Sequence, residues 1–139
     1  MPAFVFRRAI RFDEIDAAGL VYFPRVIALA HEALERLLAE ALPAGYASFV
    51  RDRRIGLPCV HAAADFTAPL RFGDDVEVAS LVTRFGATSV RFEVRVTRVE
   101  GSVACARIDY VVACATLDGP KKSALPSDLR EALARYAAG

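Results

Sequence analysis

The chain has 139 residues, of which 55% are hydrophobic and 25% are charged, and its net charge at pH 7 is +1. This length and composition predict a single folded domain over residues 1–139, and they argue against a largely disordered chain. The nearly neutral charge argues against a nucleic-acid-binding protein, and charges interrupt every apolar segment before it reaches a membrane-spanning length. Because the N-terminus also lacks the cleavage pattern of a signal peptide, we expect a cytoplasmic protein.

The first elements along the chain are a strand and a long apolar helix. Residues 4–12, FVFRRAIRF, have the mixed pattern of a strand, and an acid-rich stretch follows. From Phe23 to about Ala41 the apolar residues recur at the i, i+3, i+4, i+7 spacing of a helix, and Pro24 suits its first turn. Since much of the circumference is apolar over the first turns, this helix should be enclosed by other elements.

Beyond the helix the apolar pattern changes to a period of two. Residues 46–54 predict a short helix or an irregular link, and four strands follow in meander spacing, at about 57–68, 76–83, 88–99 and 103–117. Ser127 can cap a final helix over residues 128–137. One sheet can bury the apolar helix only if it curls around it. The expected fold is therefore α+β, a curved antiparallel five-stranded sheet wrapped around a long central helix, with uncovered edges that predict a dimer.

The cysteines and histidines give no sign of a metal or redox site. Cys59, Cys105 and Cys114 are too few and too scattered for a disulfide framework or a Cys-x-x-Cys metal site. All three lie in apolar, strand-like runs, which favours buried and reduced packing residues. The two histidines are far apart in sequence, so we expect no metal. Neither a glycine-rich phosphate loop nor a Gly-x-Ser-x-Gly motif is present.

Three acids, Asp13, Glu14 and Asp16, lie directly before the long helix, in the stretch RFDEIDAAGLVYFPR. A helix N-terminus carries partial positive charge and unpaired N–H groups, which favour a nearby carboxylate. The acids can therefore form an ordinary charged loop, or they can supply a catalytic group beside an anion-binding helix end. The local sequence leaves both interpretations open.

The whole pattern of strand, FDEIDAAGLVYFP, buried helix and following strands resembles the hotdog-fold acyl-CoA thioesterases of the 4-hydroxybenzoyl-CoA thioesterase type. That family carries an Asp-x-Asp-x-x-Gly-x-Val-aromatic motif before its central helix. The matching residues here run from Glu14 to Tyr22, with Glu14 in place of the first Asp. The resemblance covers the chain from Phe4 to about Leu125, including Gly56-x-Pro58 at the entry to the second strand.

The resemblance implies a catalytic site at the start of the helix. The Asp16 carboxylate would act as nucleophile or general base, and the Phe23 backbone N–H would hold the thioester carbonyl. Gly19 would let the loop pass close to the substrate. The acyl group would lie between two subunits, against residues that match the family's pocket wall. These substrate-binding candidates are Tyr22, Tyr46, Leu57, Pro58 and Cys59.

The region that would bind CoA departs from the family. Members of this type carry several basic residues between the third and fourth strands, and this chain has fewer. The candidates for CoA binding are Arg84, Thr88, Ser89, Arg91, Lys121 and Lys122. The two lysines suit an ordinary polar turn nearly as well. This departure leaves open a weaker grip on CoA, contacts through other residues, or an acyl carrier protein in its place.

Taken with its family, the chain is expected to hydrolyse an aromatic or short-to-medium acyl-CoA to free acid and CoA, as a homodimer or homotetramer. No metal or redox cofactor is expected, because a carboxylate and a helix N-terminus suffice for this reaction, and CoA is part of the substrate. Glu32 is an alternative catalytic acid, although an interface role suits it better. One rival function is a non-catalytic module that binds acyl-CoA or an acyl carrier protein. Another is a dehydratase or hydratase, but His31 and His61 lack the neighbourhood that those enzymes need.

Overall fold

The central helix of the protein, α1, spans Phe23–Ala41, as the periodicity predicts. A computed structural model describes residues 3–138. Leu29, Ala33 and Leu37 are fully buried along the inner side of α1. They belong to the same core as Phe92 and Ile108, which lie on the inward face of the sheet. The opposite side of α1, with Arg25 and Glu35, is exposed, so the expectation that other elements enclose the helix is wrong for the single chain: the sheet covers only its apolar stripe.

The sheet around α1 has five antiparallel strands. In spatial order they are β1 (Phe4–Ala9), β4 (Asp75–Phe85), β5 (Ser89–Arg98), β6 (Val103–Ala113) and β3 (Cys59–Phe66). A second, small sheet consists of β2 (Ile55–Gly56), β7 (Ala115–Thr116) and β8 (Lys121–Lys122). The remaining helices are α2 (Gly45–Arg53) and α3 (Ser127–Ala134). The predicted α+β fold with a five-stranded sheet is confirmed. Among the described residues, no helix is both long enough and apolar enough to cross a membrane.

Three details differ from the sequence predictions. The strand β3 pairs with β6 rather than β4, because β1 already occupies the free edge of β4. The predicted strand over 103–117 ends at Ala113. Beyond it, Cys114 N–H donates to Thr88 O, Cys114 O accepts from Ser123 N–H, and the chain continues as β7 of the small sheet. The last helix spans Ser127–Ala134, so it begins one residue and ends three residues earlier than predicted; Pro126 is its N-cap, and Ser127 makes no side-chain cap.

The two ends of the sheet carry different parts of the chain. At the helix-start end, where α1 begins, Val21 N–H donates to Leu70 O at 2.9 Å. At the helix-finish end, the turn between β4 and β5 bonds to the segment before α3, with Leu125 N–H donating to Ala87 O at 3.2 Å. The strand β4 connects the two ends with 11 residues, which corresponds to roughly 33 Å.

The strand β3 forms a bare edge of the sheet. Seven of its eight residues are exposed, and Val60 and Phe66 are 57% and 50% exposed. Cys59 is exposed as well, whereas Cys105 and Cys114 are buried. The expectation that all three cysteines are buried is therefore wrong for Cys59, because its strand has a neighbour on one side only. An unpaired apolar edge of this kind is a surface for pairing with another strand.

Candidate active site

The three acids before α1 lie in three different environments. Asp13 is exposed in a single 3-10 turn, Phe12–Glu14, at the end of which Glu14 is buried. Asp16 is exposed in the loop that leads to α1. The acid-rich stretch therefore contains one buried acid and two acids that solvent can reach.

Glu14 is held in a buried ion pair with Arg8 of β1. Arg8 Nη1 and Nη2 donate to its two carboxylate oxygens at 2.8 and 2.7 Å, and Arg11 N–H donates to it at 2.8 Å. The side chains of Arg8 and Glu14 are only 9% and 6% exposed. The Arg8 guanidinium lowers the pKa of the Glu14 carboxyl and outweighs burial, which raises it. Glu14 is thus ionised and fully engaged, and it has no free oxygen with which to attack a substrate.

The sequence analysis did not identify Arg8 as part of this site. The signal was the period of β1, in which Phe4 and Phe6 point inward and are buried. The same period places Arg8 on the inward face. A charge on that face requires a partner of opposite charge, and the nearby acid-rich stretch provides it.

Asp16 is presented by a tight loop. Ala18 N–H donates to Asp16 Oδ1 at 2.9 Å, and Leu20 N–H lies 3.4 Å from the same oxygen. The Asp16 backbone is tied to Leu20 O at 2.9 Å, and Gly19 supplies the left-handed turn, with φ of 81°. Among residues 3–138, no arginine, lysine or histidine forms an ion pair with Asp16. The carboxylate is therefore oriented and still available to react.

The N-terminus of α1 opens next to this loop. Tyr22 is the N-cap and offers no side-chain cap, and Pro24 follows Phe23 in the first turn. The Phe23 N–H has no acceptor in the described part of the chain. An apolar cavity of about 410 Å³ adjoins this helix end, and its lining includes Phe23, Val26, Phe66 and Leu70. A free amide at a helix N-terminus beside an apolar cavity is suited to bind an oxygen that becomes negative.

The other candidates from the sequence lie at the opposite end of the sheet. The helix-start end holds Asp16, Gly19, Tyr22 and Phe23. The helix-finish end holds Tyr46, Leu57, Pro58, Cys59, Arg84, Thr88, Ser89, Arg91, Lys121 and Lys122. The structure brings each set together but separates the two sets by about the length of β4. They do not form one site within a single chain.

Contacts within the helix-finish set join its members locally. Leu57 N–H donates to the Tyr46 hydroxyl at 3.0 Å, and Pro58 O accepts from Ala113 N–H at 3.0 Å. Burial raises the pKa of Tyr46, so its hydroxyl is neutral and can accept this bond. Cys59, the residue after Pro58, begins the bare edge strand β3.

Glu32 and the two histidines are engaged elsewhere. Glu32 accepts from Arg8 at 3.1 Å and from Arg36 at 3.0 Å, which makes it a poor catalytic acid. The His31 ring hydrogen-bonds to the Tyr110 hydroxyl at 2.9 Å, two turns along α1 from its start. His61 lies 3.4 Å from Asp109. Within residues 3–138, no group of three or more His, Cys, Asp or Glu side chains is arranged to hold a metal ion.

The buried ion pair predicts a specific dependence of stability on pH. Glu14 has a lowered pKa when folded, so its contribution to stability is complete above the ordinary value of 4.5 and is lost progressively as pH falls from there through the lowered pKa of the folded state. Near neutral pH, Glu14→Gln should lower the free energy of unfolding by about 3 kcal/mol, because Arg8 loses its buried partner. Below about pH 4.5 the difference from wild type should shrink.

Denaturant unfolding at several pH values measures this effect. The matched control is Glu77→Gln, which removes a carboxylate from an ion pair with Arg7 whose side chains are 65% and 35% exposed. That variant should change stability by less than about 1 kcal/mol at any pH. A Glu14→Gln difference that stays constant from pH 7 to pH 3 would contradict the role given to this ion pair.

Comparison with known proteins agrees with the architecture. The sequence matches the thioesterase-like superfamily over residues 10–133. A 1,4-dihydroxy-2-naphthoyl-CoA hydrolase from Synechococcus elongatus is 38% identical over 105 residues, which cover 75% of this chain and 76% of that protein. The crystal structure of a 1,4-dihydroxy-2-naphthoyl-CoA thioesterase from Synechocystis is 28% identical, with a TM-score of 0.86 over 95% of this chain and 96% of that one.

A 4-hydroxybenzoyl-CoA thioesterase has the same fold at lower identity. Its structure is 20% identical and gives a TM-score of 0.86 over 96% of this chain and 99% of that one. The resemblance to hotdog-fold thioesterases that the sequence suggested is thereby confirmed. The chain belongs to the thioesterase-like superfamily, as an acyl-CoA thioester hydrolase with the hotdog fold.

Proposed function

We propose that this chain hydrolyses an aromatic acyl-CoA to the free acid and CoA, with Asp16 as the catalytic carboxylate, in a site that two copies of the chain share. The observation that carries the proposal is the pairing of Asp16 with the open start of α1. Asp16 is exposed and has no ion pair among the described residues, whereas the neighbouring Glu14 is held in a buried ion pair with Arg8.

In the proposed reaction the thioester carbonyl oxygen accepts a hydrogen bond from the Phe23 N–H. The carboxylate of Asp16 then has two possible roles. As nucleophile it attacks the carbonyl carbon and expels CoA thiolate, and water hydrolyses the resulting mixed anhydride. As general base it takes a proton from water, which attacks the same carbon. Both routes give the free acid and CoA-SH, and neither requires a metal or redox cofactor.

The Phe23 N–H stabilises either route in the same way. Negative charge develops on the carbonyl oxygen during attack, and the partial positive charge of the helix N-terminus lies next to it. Loss of one such donor typically lowers kcat by roughly 10²–10³-fold. The apolar surroundings favour this interaction, because they lower the local dielectric.

The cavity beside α1 supports an aromatic acyl group. Phe23 and Phe66 line it with their rings in an edge-to-face arrangement, 6.4 Å apart between centroids. Flat rings of a substrate suit such a surface. The relatives from Synechococcus and Synechocystis are named for a naphthoyl-CoA substrate, which is aromatic. Among the expected acyl groups, these observations favour the aromatic class over short or medium straight chains.

The bare edge of β3 supports a shared site. If two β3 strands pair antiparallel across a twofold axis, the Cys59 end of one strand meets the Phe66 end of the other. This pairing brings the helix-finish set of the second copy to the helix-start end of the first. The second copy's Tyr46, Leu57, Pro58 and Cys59 would then border the acyl cavity. Its Lys121, Lys122 and Arg84 would lie where CoA phosphates leave the site.

The dimer is therefore the smallest active unit in this proposal. A tetramer made of two such dimers is compatible with it, because the paired β3 edges leave the outer face of the sheet uncovered. We also propose a cytoplasmic location. An acyl carrier protein remains an alternative carrier of the thioester, since few cations flank the turn between β4 and β5.

Release of free thiol from a panel of thioesters tests the proposed function. The panel pairs benzoyl-, hydroxybenzoyl-, phenylacetyl- and dihydroxynaphthoyl-CoA with hexanoyl- and octanoyl-CoA. We expect kcat/KM for the best aromatic thioester to exceed that for the straight chains at least about tenfold, which one well-placed apolar contact can provide.

Each other result has a definite meaning. Equal turnover of straight chains would keep the hydrolase and contradict the aromatic class. If the CoA panel is not cleaved, the same acyl groups are assayed on an acyl carrier protein, and turnover only of those thioesters would replace CoA as the carrier. Tight binding without turnover across the panel would contradict the proposed reaction and favour a non-catalytic module.

A further inference from the structure

We infer that Arg8 and Glu14 are positioning residues of this hydrolase, which orient the Phe23 N–H and the Asp16 loop relative to each other. The inference rests on the proposed function, in which those two groups act on the thioester. Neither Arg8 nor Glu14 would touch the substrate.

Arg8 connects three segments of the chain at one point. Its Nη atoms bind both carboxylate oxygens of Glu14, at 2.8 and 2.7 Å. Its Nε atom donates to Glu32 of α1, at 3.1 and 3.2 Å from the two oxygens. The strand β1, the acid-rich stretch and the helix are thereby held in one arrangement. Because each contact involves two full charges with little access to water, the arrangement should be stiff.

The backbone of Glu14 extends this support to the oxyanion donor. Tyr22 N–H donates to Glu14 O at 2.9 Å, and Tyr22 O accepts from Arg25 N–H at 2.8 Å. The Tyr22 carbonyl and the Phe23 N–H belong to the same planar peptide unit. With both sides of Tyr22 anchored, the direction of the Phe23 N–H is set by the position of Glu14.

The same residue determines where the catalytic carboxylate begins. Asp16 follows Glu14 by two residues, and the intervening Ile15 forms an isolated bridge with Val21. Asp16 N–H then donates to Leu20 O at 2.9 Å. The carboxylate and the amide are thus connected through Glu14 on one side and this short bridge on the other. A misplacement of about 1 Å between such groups can cost roughly 10²-fold in rate.

A role limited to stability explains this ion pair less well. Burying two charges costs desolvation energy, and apolar side chains of similar size often stabilise a core equally well or better. The pair Arg7–Glu77, on the same strand and its neighbour β4, remains exposed and avoids this desolvation cost. The buried Arg8–Glu14 pair forms a bidentate contact with a fixed direction. The contact lies at Glu14, whose backbone leads to both the Asp16 carboxylate and the Phe23 N–H.

Steady-state kinetics of Glu14→Gln test the inference, at a temperature where the variant is fully folded by circular dichroism. We expect kcat to fall about 10- to 100-fold with KM within about twofold of wild type, because groups are misplaced rather than lost. Glu14→Asp, which restores the charge, should recover most of the lost kcat. The control Glu77→Gln should retain the wild-type kcat.

Amide hydrogen exchange provides a second readout that does not need turnover. Exchange at the Tyr22 amide should accelerate at least about tenfold in Glu14→Gln and stay unchanged in Glu77→Gln. A variant with lower thermal stability but wild-type kcat and wild-type Tyr22 exchange would overturn the inference. If wild-type protein cleaves no thioester, the proposed function fails by itself, and unchanged Tyr22 exchange would then also overturn the positioning role.

Discussion

Asp16→Asn should lower kcat for thioester hydrolysis by roughly 10³-fold, which is within the range for loss of a catalytic acid or base. Asparagine is neither a good nucleophile nor a base, so both proposed routes lose their reacting group. Its side-chain oxygen can still accept the Ala18 N–H, which now lies 2.9 Å from Asp16 Oδ1. The loop should therefore keep its shape, and KM for the aromatic thioester should change little. Stopped-flow or steady-state thiol release measures kcat, and isothermal titration with intact substrate measures binding.

The matched control for this variant is Asp13→Asn. Asp13 is an exposed acid of the same stretch, three residues earlier, and it lies in the 3-10 turn rather than in the loop beside α1. Loss of its charge changes the local electrostatic potential by a similar amount but removes no reacting group. We expect kcat within about threefold of wild type, because exposed charges are strongly screened. Equal losses in the two variants would indicate a general effect of charge, and a wild-type rate in Asp16→Asn would remove the assignment altogether.

Ala62→Lys should convert the proposed dimer to an inactive monomer. Ala62 is exposed near the middle of β3, so antiparallel pairing would bring the two new ammonium groups close to the twofold axis. Charged residues on an edge strand are a common means of preventing strand addition. The mass in solution should fall from at least twice the chain mass of 15.1 kDa to that mass itself. Hydrolysis should fall by roughly 10²-fold or more, although Asp16 and Phe23 are untouched, because the acyl and CoA contacts of the second copy are lost.

Val5→Lys is the control for the dimer variant. Val5 is 48% exposed on β1, the opposite edge of the same sheet, so its replacement adds the same charge to the other edge. It should leave both the mass and the rate as in wild type. Multi-angle light scattering and thiol release on the same samples make the comparison. A monomeric Ala62→Lys protein with wild-type activity would show that one chain contains a complete site.

The local parts of this protein were predictable because their signals are local. The period of 3.6 identified α1 over Phe23–Ala41, and the period of two identified the inward faces of β4 and β5. The interval from Glu14 to Phe23 is likewise a short stretch, so its motif could be recognised without knowledge of distant contacts. Asp16 and the Phe23 N–H remain predictions about catalysis, but the structure places them together at one end of α1.

Long-range pairing was beyond what the sequence could determine. Whether β3 joins β4 or β6 depends on which edge β1 has already occupied, and no residue in β3 encodes that choice. The sequence likewise did not show which of the three acids is buried and paired, since Arg8 and Glu14 become partners only when β1 and the loop converge. Periodicity and motif, which act between near neighbours, thus determined the helix, the strands and the acid-rich loop. Strand order, the burial of Glu14 and the separation of the candidate residues into two ends were decided by tertiary contacts, because each depends on segments that are distant along the chain.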